Sequence, residues 1–482
     1  MNYLLLACIL LLAGCGHSQQ EAEKPNDSYQ PFPPGYGYME NIAALQHATD
    51  KGDKAVIRAH GWKLWAGIMQ PDQQTGWPLW YSWPNTTAAF NATAQQLAAA
   101  GPVAQTQSPT SDAVSITQKN KSHAIKVDTK GPFYPVPKEV ISAYPDAIAQ
   151  TKDGPAVKDG KNFQSNGDIM IATESLSASA MATIRREQLY LKATLDKKHR
   201  EGVKILDMPK DFIVTKHMYW PVKAQGITAL PVWKNNYPPS YTAYAGYEIW
   251  DTVVGIDPSG QSVGQYKPVT AFYGIKEYNR VKDWPTLQTN ALVYGLDRFY
   301  FHRVTQQDWD NFNDADKAIL NAASYWLSNQ AFEVGDYLVT VAMHINTKEL
   351  PSWTLQSIWW SDEPDKGIYA ADRPAIPQAQ GPWRHYLMTD SYAVPANAKN
   401  KLAIAVNPYI EGVIHPIATS CRNCHVRAGW PEGKTKGTAS YQNPDCPDLL
   451  ENLTPQSKCL STLTLTDYLW IIPDRAVAAG SK

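Results

Sequence analysis

Between residues 335 and 345 the chain alternates with a period of two. Tyr337, Val339, Val341, Met343 and Ile345 fall on one face of an extended segment, and Leu338, Thr340, Ala342 and His344 on the other. A run of this length and period predicts a β-strand. Residues 211–220 (DFIVTKHMYW) are β-branched and aromatic, with Pro221 expected to close the strand. Residues 247–256 read as a strand entering the turn Asp257-Pro-Ser-Gly260. Helices punctuate the strands. Asn313 or Asp314 caps a run in which Ile319, Ala322, Ala323, Trp326 and Leu327 recur at helical spacing, and 175–204 has helical composition. Strands and helices do not alternate regularly, so the expected class is α+β, with a large antiparallel β-rich body and interspersed helices.

Composition narrows the possibilities. The 482 residues fit two or three compact units. Charged residues are 18% and the formal net charge is −1, which excludes a strongly basic nucleic-acid binder. With 35 Pro, 17 Trp and 26 Tyr, long coiled coils and bulk disorder are also poor descriptions. An aromatic-rich N-terminal region is expected over 41–160, interrupted by a flexible Ala/Gln/Ser/Thr-rich segment at 95–126. Trp62 and Trp65 fit one face of a short helix there, and Trp77 to Trp83 is a Pro-flanked packed stretch. The β-rich body is expected over 161–410, and a distinct C-terminal segment over 411–482.

The N-terminus sets the compartment. Residues 4–13 are an unbroken apolar run of ten, against the roughly 20 residues a membrane-spanning helix needs, so the run reads as the core of an export signal. It ends in Leu12-Ala13-Gly14-Cys15, which resembles the lipobox of bacterial lipoproteins. That resemblance implies a signal over 1–14, diacylglycerol on Cys15, and a polar tether over 15–40. It also implies a place in the cell envelope facing the periplasm, with Gly16 directing the protein to the outer membrane. An ordinary cleaved signal is the alternative. Cys8 leaves with either.

The chemistry lies near the C-terminus. Cys421-Arg-Asn-Cys424-His425 is a Cys-x-x-Cys-His sequence, the attachment signature of c-type haem. Two cysteines three apart on one helical turn present both sulfurs to one porphyrin edge, and the next residue supplies an imidazole for the iron. The C-terminal segment is therefore expected to bind one covalent haem c in the cytochrome c manner, on Cys421 and Cys424 with His425 as proximal ligand. Two rival readings use the same cysteines. Cys421, Cys424, Cys446 and Cys459 are four possible thiolates for zinc, and Cys421–Cys424 is a possible redox dithiol. If haem takes the first pair, Cys446 and Cys459 are most simply a disulfide in an oxidising compartment.

No methionine follows His425, so the iron's sixth ligand, if a protein side chain, comes from elsewhere. The candidates by type are His344, Met343, His385, Met388 and His415. Arg422, Arg427 and Trp430 are candidate donors to the haem propionates.

Around the motif, 419–428 and the closing 466–476 (TDYLWIIPDRA) resemble a family of uncharacterised bacterial exported proteins described as monohaem c-type cytochromes. So do the block around Trp62–Trp83, the strand 212–220, and Leu338–Ile345 with Pro351-Ser-Trp353. The resemblance implies a redox or haem-binding role in the cell envelope, with a redox partner protein there, and supplies no substrate. Two main classes of function follow: an electron carrier with six-coordinate iron, or a haem enzyme or ligand sensor with an open distal position. A third is an aromatic-rich binding module with accessory haem.

Overall fold

The computed structural model describes residues 30–73, 76–90, 136–151, 154–158, 163, 171–234, 250, 252–272, 286–411 and 418–478. Cys8, Cys15, the segment 95–126 and His415 lie outside them. The class is α+β, with a large antiparallel β-rich body and several helices.

A short hairpin, β1 (Ile148–Thr151) with β2 (Gly154–Val157), precedes the main sheet. That sheet uses β3 (Ile171–Leu176) and β4 (Ile213–Val222). A second sheet is inserted between its halves: β5 (Thr228–Pro231), β6 (Val253–Ile256), β7 (Tyr266–Phe272) and β8 (Thr286–Tyr294), in the order β5-β6-β8-β7, with β6 and β8 parallel. The main sheet resumes with β9 (Tyr300–Arg303), β10 (Tyr337–Thr347), β11 (Thr354–Trp360) and β12 (Tyr386–Asp390). Its order is β12-β11-β10-β4-β3, all antiparallel, and β9 pairs with the start of β10. Near the C-terminus β13 (Gly429–Trp430) and β14 (Thr464–Leu465) form a two-residue ladder.

The alternating run is the central strand β10, buried along both faces. Pro221 does not close its strand, because β4 continues to Val222. β3 stops opposite Tyr219, so beyond it one flank of β4 has no ladder partner among the described residues, and a residue without an N–H is tolerated there. Residues 175–204 are not one helical stretch. Ile171–Leu176 is a strand, and two helices, Ala178–Arg186 and Lys192–Arg200, are separated by a turn with Gln188 at φ +52°. The helix Asp314–Ser328 starts at Asn313 in a reciprocal capping box with Asp316.

Strand register sorts the main sheet into two faces. Glu174, Lys216, His344, Ser357 and Thr389 lie opposite one another in one row across β3, β4, β10, β11 and β12. The neighbouring row, Thr173, His217, Met343, Ile358 and Met388, points to the other face. Over β11 and β12 that other face is covered by the helix Lys54–Ile68, which carries Trp62 and Trp65. Gly61 lets it approach closely: a Cβ there would sit 2.9 Å from Met388 Sδ. Arg58 secures the contact, donating to the carbonyls of Met388, Tyr369 and Ala371 and to Asp390 Oδ2.

The first face receives the C-terminal segment. Leu176, Ile184, Leu195, Phe212 and Trp353 share one apolar core with Val426, Trp430 and Trp470. Each fully buried side chain of this kind contributes about 1.5–3 kcal/mol. The segment 418–478 is thus built onto the helices after β3 as well as onto the sheet.

Candidate functional site

The Cys-x-x-Cys-His sequence forms the helix Cys421–Val426. Its N-terminus is tied to the sheet: Cys421 N–H donates to Ala405 O, Arg422 N–H donates to Ser391 Oγ, and Ser420 Oγ lies 3.2 Å from the same oxygen. Ser391 directly follows β12, so the main sheet sets where the motif begins. At the helix C-cap, Arg427 is fully buried and donates to Asn423 Oδ1 and Asp448 O, bracing the helix against the loop that carries Cys446.

Cys421 and Cys424 are half-buried and not bonded to each other. Burial pushes the Cys421 thiol well above its ordinary range and Cys424 up to about 11, so both are protonated at neutral pH. A redox dithiol works through a lowered thiol pKa, and nothing here lowers either one enough. Cys446 and Cys459 are joined in a disulfide with Cα atoms 5.7 Å apart. A four-thiolate zinc site is therefore not formed. Among the described residues no group of three or more His, Cys, Asp or Glu is arranged to hold a bare metal ion. An open depression of about 580 Å³ beside the disulfide contains none of the motif residues.

His425 is the most defined element of the site. Its Nδ1 is 2.7 Å from the Tyr468 carbonyl oxygen. A carbonyl only accepts, so Nδ1 carries the proton and the ring's lone pair is on Nε2. An outer hydrogen bond of this kind fixes the tautomer and orientation of a metal-binding histidine. The backbone around Tyr468 is shaped for it: Asp467 and Tyr468 both have positive φ, +52° and +68°, a conformation that is unusual for a bulky residue. Trp470 Nε1 donates to Cys424 O from the same turn. Burial pushes His425 down to about 4, and His344 and Lys216 press the same way against the Tyr468 carbonyl and Glu411. The imidazole is neutral at pH 7.

Those neighbours identify what faces the motif. Lys216 and His344 are members of the polar row on the first face of the sheet, and Glu411 follows it in space. His344 Nε2 is 2.9 Å from Glu411 Oε1, and Glu411 Oε2 accepts from Asn407 N–H. Of the candidate sixth ligands, only His344 is on this face among the described residues. Met343 and Met388 point to the opposite face, which removes both. His385 lies in the turn before β12, its Nε2 3.2 Å from Arg298 Nη1. Lys216, Glu411 and the Tyr468 carbonyl had no signal in the sequence, because cross-strand register and a positive φ at Asp467 and Tyr468 are tertiary facts.

The expected propionate donors separate. Trp430 Nε1 donates to Asp196 Oδ1 at 2.9 Å, anchoring the C-terminal segment to the helix Lys192–Arg200. Arg427 has two of its nitrogens engaged as above, with Nη1 left over. Arg422 is different. Its guanidinium reaches the Tyr468 hydroxyl, while its Nε and Nη1 are buried without a hydrogen-bond partner. Buried charged donors without acceptors are costly and point to an acidic group that completes them.

These observations fit a covalently held haem: two unpaired thiols on one turn, a neutral imidazole with its Nε2 lone pair free of the Tyr468 contact, and unanswered guanidinium donors. No family model, no curated protein and no solved structure matches this chain.

Two histidines, His217 buried and His425 half-buried, fold neutral. Burial holds His217 far below its ordinary range, with His344 adding to the effect and Thr173 opposing it, and His425 sits at about 4. An unfolded histidine titrates near 6.5, so from there down to about pH 4 the unfolded chain binds protons that the folded chain refuses. The haem-free protein should be at full stability above that window. It should lose stability as pH falls, by up to about 1.4 kcal/mol per pH unit for each group. Urea midpoints at about pH 7.5 and about pH 5 measure this, and His217→Gln should lose less than the parent. Equal losses would refute a neutral His217.

Proposed function

We propose that this chain is an exported c-type cytochrome, tethered to the cell envelope through Cys15. It carries one covalent haem on Cys421 and Cys424, with His425 as an axial ligand, and transfers electrons with a partner protein in the envelope. The resemblance to exported monohaem cytochromes points the same way. The observation that carries the reading is the hydrogen bond from His425 Nδ1 to the Tyr468 carbonyl, which leaves Nε2 as the ligating nitrogen beside two unpaired thiols. The haem supplies one-electron redox chemistry.

The chain's own residues do the rest. The helix Cys421–Val426 sets the two sulfurs on one face. Tyr468 holds the imidazole in one tautomer. Arg422 offers buried donors to an acidic substituent. The sheet's first face, with Lys216 and His344, closes the other side of the site.

A second reading has its own observation. His344 Nε2 lies 2.9 Å from the Glu411 carboxylate, a pairing that suits a proton-handling group over an open iron as well as a ligand. Absorption spectra of the protein produced with a haem-maturation system decide between them. The electron-carrier reading expects a low-spin spectrum, unchanged by carbon monoxide after reduction, that becomes high-spin in His344→Ala. A wild-type spectrum that is high-spin and binds carbon monoxide would favour the enzyme or sensor. Absence of covalent haem would overturn both.

A further inference from the structure

The second face of the main sheet holds a run of stacked rings that leads away from the haem-binding side toward solvent. At its inner end is His217, fully buried on β4 and paired across the ladder with Met343, the chain neighbour of His344. The Trp80 ring stacks on His217 with centroids 3.5 Å apart and planes 16° from parallel. Tyr81 follows at 4.3 Å from Trp80, and Trp77 at 5.6 Å from Tyr81. Exposure rises along the series, from 0% at His217 and 3% at Trp80 to 36% at Trp77.

Packing alone does not account for the inner end. His217 Nε2 is buried without a hydrogen-bond partner, and leaving such an atom unmatched costs about 1–3 kcal/mol, which an apolar ring at the same place avoids. A hydrogen-bonded line runs beside the stack: Tyr81 to Tyr219, Tyr219 OH to Thr173 Oγ1 at 3.0 Å, and Thr173 Oγ1 to His217 Nδ1 at 3.0 Å. The two easily oxidised ring types, indole and phenol, are therefore coupled by contact, and Trp80 Nε1 is tied off by Met69 Sδ at 3.2 Å.

We infer that Trp77, Tyr81, Trp80 and His217 form the route by which single electrons pass between the haem side of the sheet and the protein surface, with Trp77 as the outer contact for a one-electron partner. The inference rests on the haem reading above. In the net step no bond forms or breaks: a ferrous haem would lose one electron, becoming ferric, and a one-electron acceptor at Trp77 would gain it, while the Tyr81 phenol proton shifts along its hydrogen bond toward Tyr219 as that ring is oxidised and returns when it is reduced.

The test uses the reduced holoprotein and photogenerated tris(bipyridyl)ruthenium(III) as the acceptor in solution. Iron oxidation is followed by the haem absorbance, and ring radicals by transient absorption and electron paramagnetic resonance. Wild type should show an indole or phenol radical that decays as the iron is oxidised. Trp80→Phe keeps a stacked ring that resists oxidation. It should lose that kinetic phase while the radical on Trp77 or Tyr81 persists, and Tyr81→Phe should lose the phase as well. Circular dichroism and thermal melts confirm that both variants are folded. As a measurement that does not depend on haem, the Cys421→Ser/Cys424→Ser protein should form the same surface radical and retain it. Iron oxidation kinetics identical in wild type and Trp80→Phe, or no ring radical in the haem-free protein, would overturn the route. Missing haem absorbance in wild type would instead overturn the cytochrome reading.

Discussion

A chain carrying Cys421→Ser together with Cys424→Ser is expected to fold as the wild type does and to hold no haem that survives extraction with acidified organic solvent. Both halves follow from the geometry. Cys421 Sγ lies 3.2 Å from Ala405 O, and a serine hydroxyl at that position still donates to the same carbonyl. The thiols are half-buried and in no disulfide, and the contact to Ala405 O is kept by a hydroxyl, so exchanging sulfur for oxygen should change stability by about 1 kcal/mol or less. The helix itself is held by Ser391, Arg427 and Asn423, none of which is touched. Among the described residues no other cysteine could form the proposed thioether bonds, because Cys446 and Cys459 are joined to each other. Intact mass, haem absorbance before and after extraction, and a denaturant melt make the comparison. Covalent haem retained in the double variant would sink the assignment. A collapsed melt would show that the cysteines are structural.

What the sequence discloses here is mostly local. The Cys-x-x-Cys-His spacing is readable because its five residues lie on one helical turn, and β10 is readable because a buried central strand writes its period plainly. The capped helix Asp314–Ser328 is equally local. Errors fall where a partner decides the outcome. Leu176 looks helical by composition, yet it is the last residue of β3, because β4 offers Val214 opposite it. Pro221 looks like a strand end, yet β4 passes through it where the neighbouring flank is open. The site shows the same division. His425 and the two cysteines are legible, whereas the row Glu174–Lys216–His344 is assembled by register from three strands up to 170 residues apart. Trp430 illustrates a different limit: an indole near the motif has the right donor for a propionate, but its partner, Asp196, lies on a helix far back in the chain.

Removing the carboxylate of Asp467 should be among the most damaging single changes outside the motif. Asp467 is 1% exposed, accepts from Met208 N–H at 3.1 Å, and receives Lys348 Nζ at 2.7 Å. Lys348 follows β10 directly, so this pair ties the closing segment to the central strand. Burial raises the Asp467 carboxyl above its ordinary range even with Lys348 beside it, so desolvation outweighs the attraction and the intact pair contributes little net stability. The damage comes from separating it. Asp467→Ala leaves a largely buried ammonium with only the Pro351 carbonyl as acceptor and no counter-charge, and leaves the Met208 amide without its acceptor, and should cost about 3–5 kcal/mol. Removing both charges together, as Lys348→Met/Asp467→Asn, should cost clearly less than the sum of the single changes, because no uncompensated charge is left. Asp467 also holds the positive-φ turn that delivers the Tyr468 carbonyl to His425. Asp467→Ala should therefore shift the haem absorbance in the fraction that still folds, and the double variant, whose asparagine tolerates that backbone, should restore it. Denaturant titrations and spectra of the single and double variants measure both effects. Strict additivity of the stability changes would show that the pair is not coupled, and an unaltered spectrum in Asp467→Ala would separate the turn from the imidazole it adjoins.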